Sequence, residues 1–469
     1  MTRFLFACFV ALVALAPLPF GSAPQLAEAG LASAIGLLAV AYAVTLPFAR
    51  HDREGATPAV AARRTWWLVT GFALLVAWAI AQMLPIWPVS LAYPGWTAGP
   101  DAGTARVPLT PDTAAAGGVL MRLVTYALVF WLALQWGRDS ARAHLLLWTL
   151  VGAGALYAVY GMVMQFGGFD LVLWWEQRVY SESLTGTFIN RNHFATYCGM
   201  LGAAALLLLL RRAAAVGGSG LGPLARAGLV LDNLGRSGWA ALAMSVLLFA
   251  AVALSTSRAG TLAAAVGFAA AFLAIGARPG ARTWAWLGAL LTSFVLGVVL
   301  AAASGLLDGL LHRLDPQSTT VLGGRPEIAR ATLTALAERP LTGSGLGSFP
   351  GLFEAARTAE LAQNGGQSFL RAHNSYIELA AEAGWPAFAL MQALLLGIAW
   401  RCWRGLRDRH HDWVYGAVAL AAGTVAAVHA AFDFSLQIPG VGVTLAALLG
   451  LGVAQSWRHR SDRESTASK

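Results

Sequence analysis

Charge is what this chain has least of. Only 12% of its 469 residues are charged, and lysine is nearly missing, so arginine carries the net charge of +9. A soluble domain carries about 25% charged residues, so a water-facing globule is excluded. Cysteine is scarce as well. Cys8, Cys198 and Cys402 show no CxxC spacing and no accompanying histidine cluster, which argues against a disulfide framework or a zinc site. Their places in or beside apolar runs suit buried thiols. What is abundant is hydrophobic residues, at 57%, with many Gly, Ala and Trp. Long apolar runs of this kind specify an all-α, polytopic membrane protein.

A spanning helix needs roughly 20 apolar residues. That length reads out about twelve spans, near 4–21, 30–48, 66–86, 119–136, 144–166, 193–210, 238–254, 259–276, 284–304, 376–400, 412–432 and 437–456. With the N-terminus in the cytoplasm, arginine falls in every cytoplasmic connection, as the positive-inside rule requires. The basic balance therefore reads as membrane orientation, and no basic patch on a soluble domain points to nucleic acid. Arg3 followed by an apolar run resembles a signal peptide, but the run is long for one, and the first span is read as an uncleaved helix.

The whole chain, 1–469, reads as a single integral membrane domain. Its largest connection, 305–375, is an external loop between the ninth and tenth spans. That loop is expected to be structured. Gly323-Gly324-Arg325-Pro326 turns into a helix with proline in its first turn, and the helix ends at Arg339-Pro340. A second short helix is expected over 351–363. Between them lie Gly343, Gly345 and Gly347, read as a structural turn or, alternatively, as a phosphate cradle of backbone N–H groups. No Lys-Ser/Thr follows the glycines, so they are not a P-loop. Residues 223–234 suit a short amphipathic helix on the membrane surface.

Polar, ionisable groups beside lipid are expensive and mark function. Arg371-Ala372-His373-Asn374-Ser375-Tyr376-Ile377-Glu378 forms such a cluster at the mouth of a span. Arg191 and Arg258 stand at the ends of other spans, on the same expected side. Arginine is always protonated and its planar fork matches phosphate oxygens. Histidine titrates near neutrality, so His373 can act as a general base, bind an anion as a donor, or orient an acceptor. Asn374 is a candidate to hold the imidazole or a sugar hydroxyl. Glu378 and Glu382, one turn apart, suit salt bridges to the arginines. His193 reads as a helix cap, and Asp433 as a closing or capping group.

Four blocks together resemble the O-antigen ligase superfamily: Thr185-Gly186-Thr187-Phe188-Ile189-Asn190-Arg191-Asn192-His193-Phe194-Ala195; Ser255-Thr256-Ser257-Arg258-Ala259-Gly260; Arg325 with Pro340-Leu341-Thr342-Gly343-Ser344-Gly345; and His373-Asn374 with Glu382-Ala383-Gly384. The resemblance covers roughly 180–435. It implies a GT-C-like fold with a large periplasmic loop, in the bacterial inner membrane. It implies a metal-independent, inverting glycosyltransferase with no cofactor, whose donor is a glycan on undecaprenyl diphosphate. The acceptor is a hydroxyl on lipid A-core, on another glycan, or on a protein. The family's essential residues carry over onto Arg191, Arg258 and His373 as catalytic groups. Arg191, Arg258, Arg325, Arg371 and Asn374 become candidates for binding the diphosphate or glycan. The sequence offers no external Asp-x-Asp to hold a metal. O-antigen ligation to lipid A-core is the first expectation, polymerisation of O-antigen or exopolysaccharide the second, and protein O-glycosylation or non-enzymatic transport the others. Against transport, the ionisable residues gather at one rim instead of the bilayer midplane.

Overall fold

The computed structural model describes residues 2–46, 62–92, 106–176, 180, 182–215, 223–276, 325–356, 370–409 and 412–457. The expected ninth span at 284–304, the loop residues 305–324 and the C-terminal part of the expected loop helix at 357–363 lie outside them. The helices, in chain order, are α1 (Thr2–Leu15), α2 (Gln25–Thr45), α3 (Trp66–Met83), α4 (Thr113–Trp136), α5 (Ser140–Phe166), α6 (Arg191–Ala215) and α7 (Pro223–Asn233). There follow α8 (Gly235–Leu254), α9 (Arg258–Gly276), α10 (Arg325–Glu338), α11 (Phe349–Ala356), α12 (Ser375–Asp408), α13 (Trp413–Ala430) and α14 (Pro439–Ala454). Two small antiparallel hairpins, β1–β2 (Trp87–Pro88, Arg106–Val107) and β3–β4 (Leu171–Val172, Trp175–Glu176), are the sheets among the described residues.

Among the described residues, nine helices are long and apolar enough to cross a membrane, and α1 and α14 are shorter apolar helices. Their positions follow the expected spans. α1 stops early because Pro17 and Pro19 cannot continue it, and Pro439 sets the start of α14 at a position where a missing N–H costs nothing. Asp112 and Asp139 start α4 and α5 by accepting backbone N–H groups of Ala114, Ala115 and Arg142 at 2.9 Å.

α6 is the centre of the bundle. In its apolar window 83% of residues are buried, against 22% in α2. It packs on α8, α9 and α13, while α14 lies along α4 and α13. Apolar side chains gain little by leaving lipid for protein, so close backbone approach matters more here than in water. At Gly450 an added Cβ would stand 2.5 Å from the Phe130 carbonyl oxygen, so α14 and α4 approach as only glycine permits.

Contacts fix which helix ends share a side. At one end Thr187 donates to the Pro17 carbonyl at 2.7 Å, Tyr126 to the Leu436 carbonyl at 3.1 Å, and Gln82 to the Glu382 carbonyl at 3.1 Å. At the opposite end Gln455 donates to the Gly137 carbonyl at 2.6 Å, and Ser140 and Arg409 meet Asp412 at 3.2 and 2.7 Å.

The long helix after the loop is not one straight span. Gly384 sits at φ +79° and separates a short entry segment, beginning at Ser375, from the segment carrying Pro386. The break turns backbone groups toward the loop. Ala381 and Glu382 carbonyls accept from Ser344 and Gly345, and Trp385 donates to the Pro340 carbonyl. A continuous span over 376–400 is thus corrected to a helix with a hinge near its mouth.

Candidate active site

The two arginine-bearing helix starts are tied to each other. Asn190 begins α6 by accepting the Asn192 N–H at 2.8 Å, and Ser257 begins α9 by accepting the Gly260 N–H at 3.1 Å. Ser257 in turn donates to the Asn192 side chain at 2.7 Å. Arg191 and Arg258, the first residues of α6 and α9, are therefore held on adjoining helix N-termini, where the backbone dipole favours an anion.

Arg191 is held by neutral groups. One guanidinium nitrogen donates to Thr256 at 2.8 Å and Ser183 at 3.1 Å, and the group lies over the Tyr180 ring at 5.2 Å. Thr256 occupies the left-handed region at φ +53°, a strained place for a β-branched residue, in the turn that aims its hydroxyl. Arg258 is exposed and, among the described residues, has neither a hydrogen bond nor an ion pair. A small open recess lies beside Ser183, lined also by Gln165, Phe169, Asp170 and Thr185.

His373 shares a phenylalanine, Phe434, with His193 of α6. Its Nδ1 lies 3.5 Å from the Asp433 carboxylate, the outer limit of a hydrogen bond. Asp433 is fully buried and also accepts the Phe434 N–H at 2.7 Å. Burial alone would push its carboxyl up, but the hydrogen bond with His373, the His193 and His429 imidazoles and the Phe434 N–H together hold it well below the usual carboxylate range. The Phe434 ring is met edge-on by His193 at 4.9 Å and His373 at 5.2 Å. His193, one helix turn inside α6, is the link from the arginines to the imidazole–carboxylate pair. His373 itself sits at φ +52°, so its backbone is bent to deliver the ring.

The remaining polar residues build the mouth. Asn374 caps α12, its side-chain oxygen accepting from Tyr376 at 3.0 Å and Ile377 at 3.2 Å. Its carbonyl is thus taken up by the helix, leaving only its amide nitrogen for an imidazole or sugar. Arg371 meets buried Glu378 at 3.4 Å, and the same carboxylate accepts from the Ala372 N–H at 2.7 Å and Gln437 at 2.8 Å. Glu382 has a different role from the arginine pairing read in the sequence. It accepts the Phe349 N–H at 2.9 Å and the Gly347 N–H, so it caps α11. Arg325 opens α10, and its side chain lies outside the described residues.

The glycine triplet is a structural clamp. Gly343, Gly345 and Gly347 all have positive φ, and an added Cβ would stand 2.3–2.8 Å from backbone of Glu382, Thr110 and Ala115. Their N–H groups go to the Arg339 and Glu382 carbonyls and the Glu382 carboxylate. Leu346 donates to Gln82 at 3.3 Å. No N–H of the three glycines is left to cradle a phosphate, so of the two readings the turn holds.

Sequence reading missed Tyr180, Ser183, Thr256 and Phe434 as partners. Thr256 lies inside a quoted motif, two residues before Arg258, and that proximity was its signal. Phe434 follows Asp433 and carries none. Among the described residues, no three or more His, Cys, Asp or Glu are placed to hold a metal ion.

Residues 243–392 match the family described as O-Antigen ligase. The match takes in Arg258, Arg325, Arg371, His373 and Asn374, while Arg191 and Asp433 lie outside it. No curated protein matches the sequence. Through residues 243–392 this apolar multi-pass chain is similar to the O-antigen ligase family, a likeness that supports a membrane glycosyltransferase of that general type.

Proposed function

We propose that this protein transfers a glycan from undecaprenyl diphosphate to an acceptor hydroxyl at the periplasmic face of the bacterial inner membrane. Ligation of O-antigen to lipid A-core is the reaction favoured here. The observation that carries the reading is the pairing at one end of the bundle. Two guanidiniums without acidic partners among the described residues stand on adjoining helix N-termini, and an imidazole backed by a buried carboxylate meets Phe434, which His193 of α6 also meets.

Each part has a task. The donor's diphosphate leaves with more negative charge than it carried as an ester, and Arg191 and Arg258 meet that charge through forked, charge-assisted hydrogen bonds. Asp433 fixes the orientation of His373 by engaging Nδ1, which leaves Nε2 for the acceptor. The acceptor hydroxyl loses its proton to Nε2 as its oxygen attacks the anomeric carbon. The bond from that carbon to the diphosphate oxygen breaks, and its electron pair stays on the leaving lipid diphosphate. One displacement without a covalent glycosyl-enzyme inverts the anomeric centre. The guanidiniums supply the charge stabilisation, so the step is metal-independent. Arg371, paired with Glu378, and Asn374, capping α12, shape the mouth and bind glycan. Arg325 is carried over from the resemblance as a further diphosphate- or glycan-binding residue.

The test is transfer by purified protein from a defined undecaprenyl-diphosphate glycan, in EDTA, with lipid A-core and free repeat units as competing acceptors. Product on lipid A-core supports the ligase. Elongated lipid-linked glycan makes the protein a polymerase of the same superfamily. Absence of any transfer with a folded, donor-binding protein overturns the proposal.

A further inference from the structure

The segment that joins α5 to the Arg191 network carries an unusual surface. Along α5, Leu156, Val159, Val163 and Phe166 recur at helical spacing and are all exposed, at 70, 44, 57 and 71%. In a spanning helix such a face is turned to lipid. It does not end with the helix. Phe169, Trp174 and Trp175 continue it, exposed at 54, 73 and 66%.

The β3–β4 hairpin is built to hold these rings out. Its two-residue turn is Leu173-Trp174, and Leu173 sits at φ +56°, a place normally given to glycine in such turns. The strain is held by the Leu173 N–H, which donates to the Tyr160 hydroxyl of α5 at 2.7 Å. Trp174 is braced edge-on against Phe20 at 5.0 Å, yet most of its indole stays open. A backbone strained to display two tryptophans has been arranged for something that covers them.

We propose that this hairpin is an interfacial anchor, seated in the headgroup and upper acyl layer of the bilayer leaflet on the site's side. Its partner is the bulk lipid surface. The occupant follows from continuity, since the exposed hairpin rings extend the lipid-facing stripe of α5 past the helix end. It follows also from chemistry, since indoles have an apolar body and a polar N–H and concentrate at that depth. Tyr180 and Ser183 come a few residues after the hairpin and hold Arg191. A hairpin fixed at the interface therefore fixes the depth of that guanidinium, at the level of lipid phosphates. The anchor does not depend on which reaction the site performs.

Full-length wild-type protein in phosphatidylcholine–phosphatidylglycerol vesicles provides the test, using lipids with a diazirine near the headgroup and, separately, a water-soluble diazirine. The peptide spanning 166–176 is expected to be labelled by the lipid probe and protected from the aqueous one. Absence of lipid labelling overturns the anchor: labelling by the aqueous probe alone puts the rings in water, and labelling by neither puts them against another copy of the chain. A second measurement uses nitroxide at Trp174→Cys or Trp175→Cys in a Cys8→Ser background, with Cys198 and Cys402 buried. Expected is a loss of collision with an aqueous nickel chelate relative to a label at exposed Glu354, approaching that at Val163. Equality with the Glu354 site contradicts the proposal.

Discussion

The two ends of the bundle both carry arginine, and Arg191 and Arg258 at the site end are treated unlike Arg409 at the other, although the site end also holds the Arg371–Glu378 and Arg122–Glu28 pairs. At the end away from the site, Arg409 is buried against Asp412 at 2.7 Å, Arg211 approaches the same carboxylate at 3.9 Å, and Arg401 lies over Trp457 at 4.9 Å with its charge turned to the Ser456 carbonyl. At the site end, Arg191 is gripped by two hydroxyls and a tyrosine, and Arg258 by nothing among the described residues. A guanidinium matched to a carboxylate is spent on structure. One positioned by neutral groups keeps its full charge for a ligand. Counting arginines distinguishes the membrane sides, but only their partners distinguish the roles.

The sharpest way to break the comparison is to exchange the roles by mutation. Arg191→Ala and Arg258→Ala should each lower the transfer rate by about 10²- to 10³-fold, as removal of a transition-state donor does, with little change in thermal unfolding. Arg409→Ala should do the reverse, costing about 1–3 kcal/mol by removing the charge-assisted hydrogen bond to the half-buried Asp412, while the folded fraction keeps its rate. Loss of rate in folded Arg409→Ala would make the distinction between the ends wrong.

Next in size is the imidazole pair. His373→Ala should cost about 10²- to 10⁴-fold in rate. Asp433 has a depressed folded value, so its contribution to stability is complete above the usual carboxylate range and is lost only as pH falls through that lower value. It should therefore add no limb to the rate profile between about pH 5 and 8. Asp433→Asn should lower the rate across that whole window, measured as kcat/KM against pH.

Much of this was legible in advance, for reasons that differ by element. Apolar runs near the thickness of a bilayer locate helices because nothing else satisfies backbone polar groups in lipid, and α2 to α6, α8, α9 and α13 lie where those runs lie. The hinge at Gly384 is hidden by an apolar pattern that continues through it, although Pro386 signals a break; the Leu341 carbonyl and Gly343 of the loop stand where a Cβ at Gly384 would be. Arg191, Arg258 and His373 stood out as costly groups in motifs. Their partners did not, because Tyr180, Ser183 and Phe434 are ordinary loop residues until the fold brings them together. Glu382 was read by spacing as an arginine partner, but the helix N-terminus of α11 reached it first.

Smaller effects sharpen the account of the mouth. Gly345→Ala places a methyl against Thr110 backbone at a left-handed position, and should cost about 1–3 kcal/mol in unfolding with a modest rate change. Arg371→Ala leaves the buried Glu378 carboxylate to the Ala372 N–H and Gln437, and should cost about 1–3 kcal/mol in unfolding. A larger fall in glycan affinity than in stability would assign Arg371 to substrate.

The most direct measurement is calorimetric binding of undecaprenyl diphosphate to the purified protein in EDTA, with Arg191→Ala, Arg258→Ala and Arg409→Ala alongside. Expected is chelator-resistant binding that weakens strongly in the first two variants and persists in the third. Equal affinity in all four proteins, or binding that vanishes with the chelator, would contradict a site in which free guanidiniums hold the diphosphate.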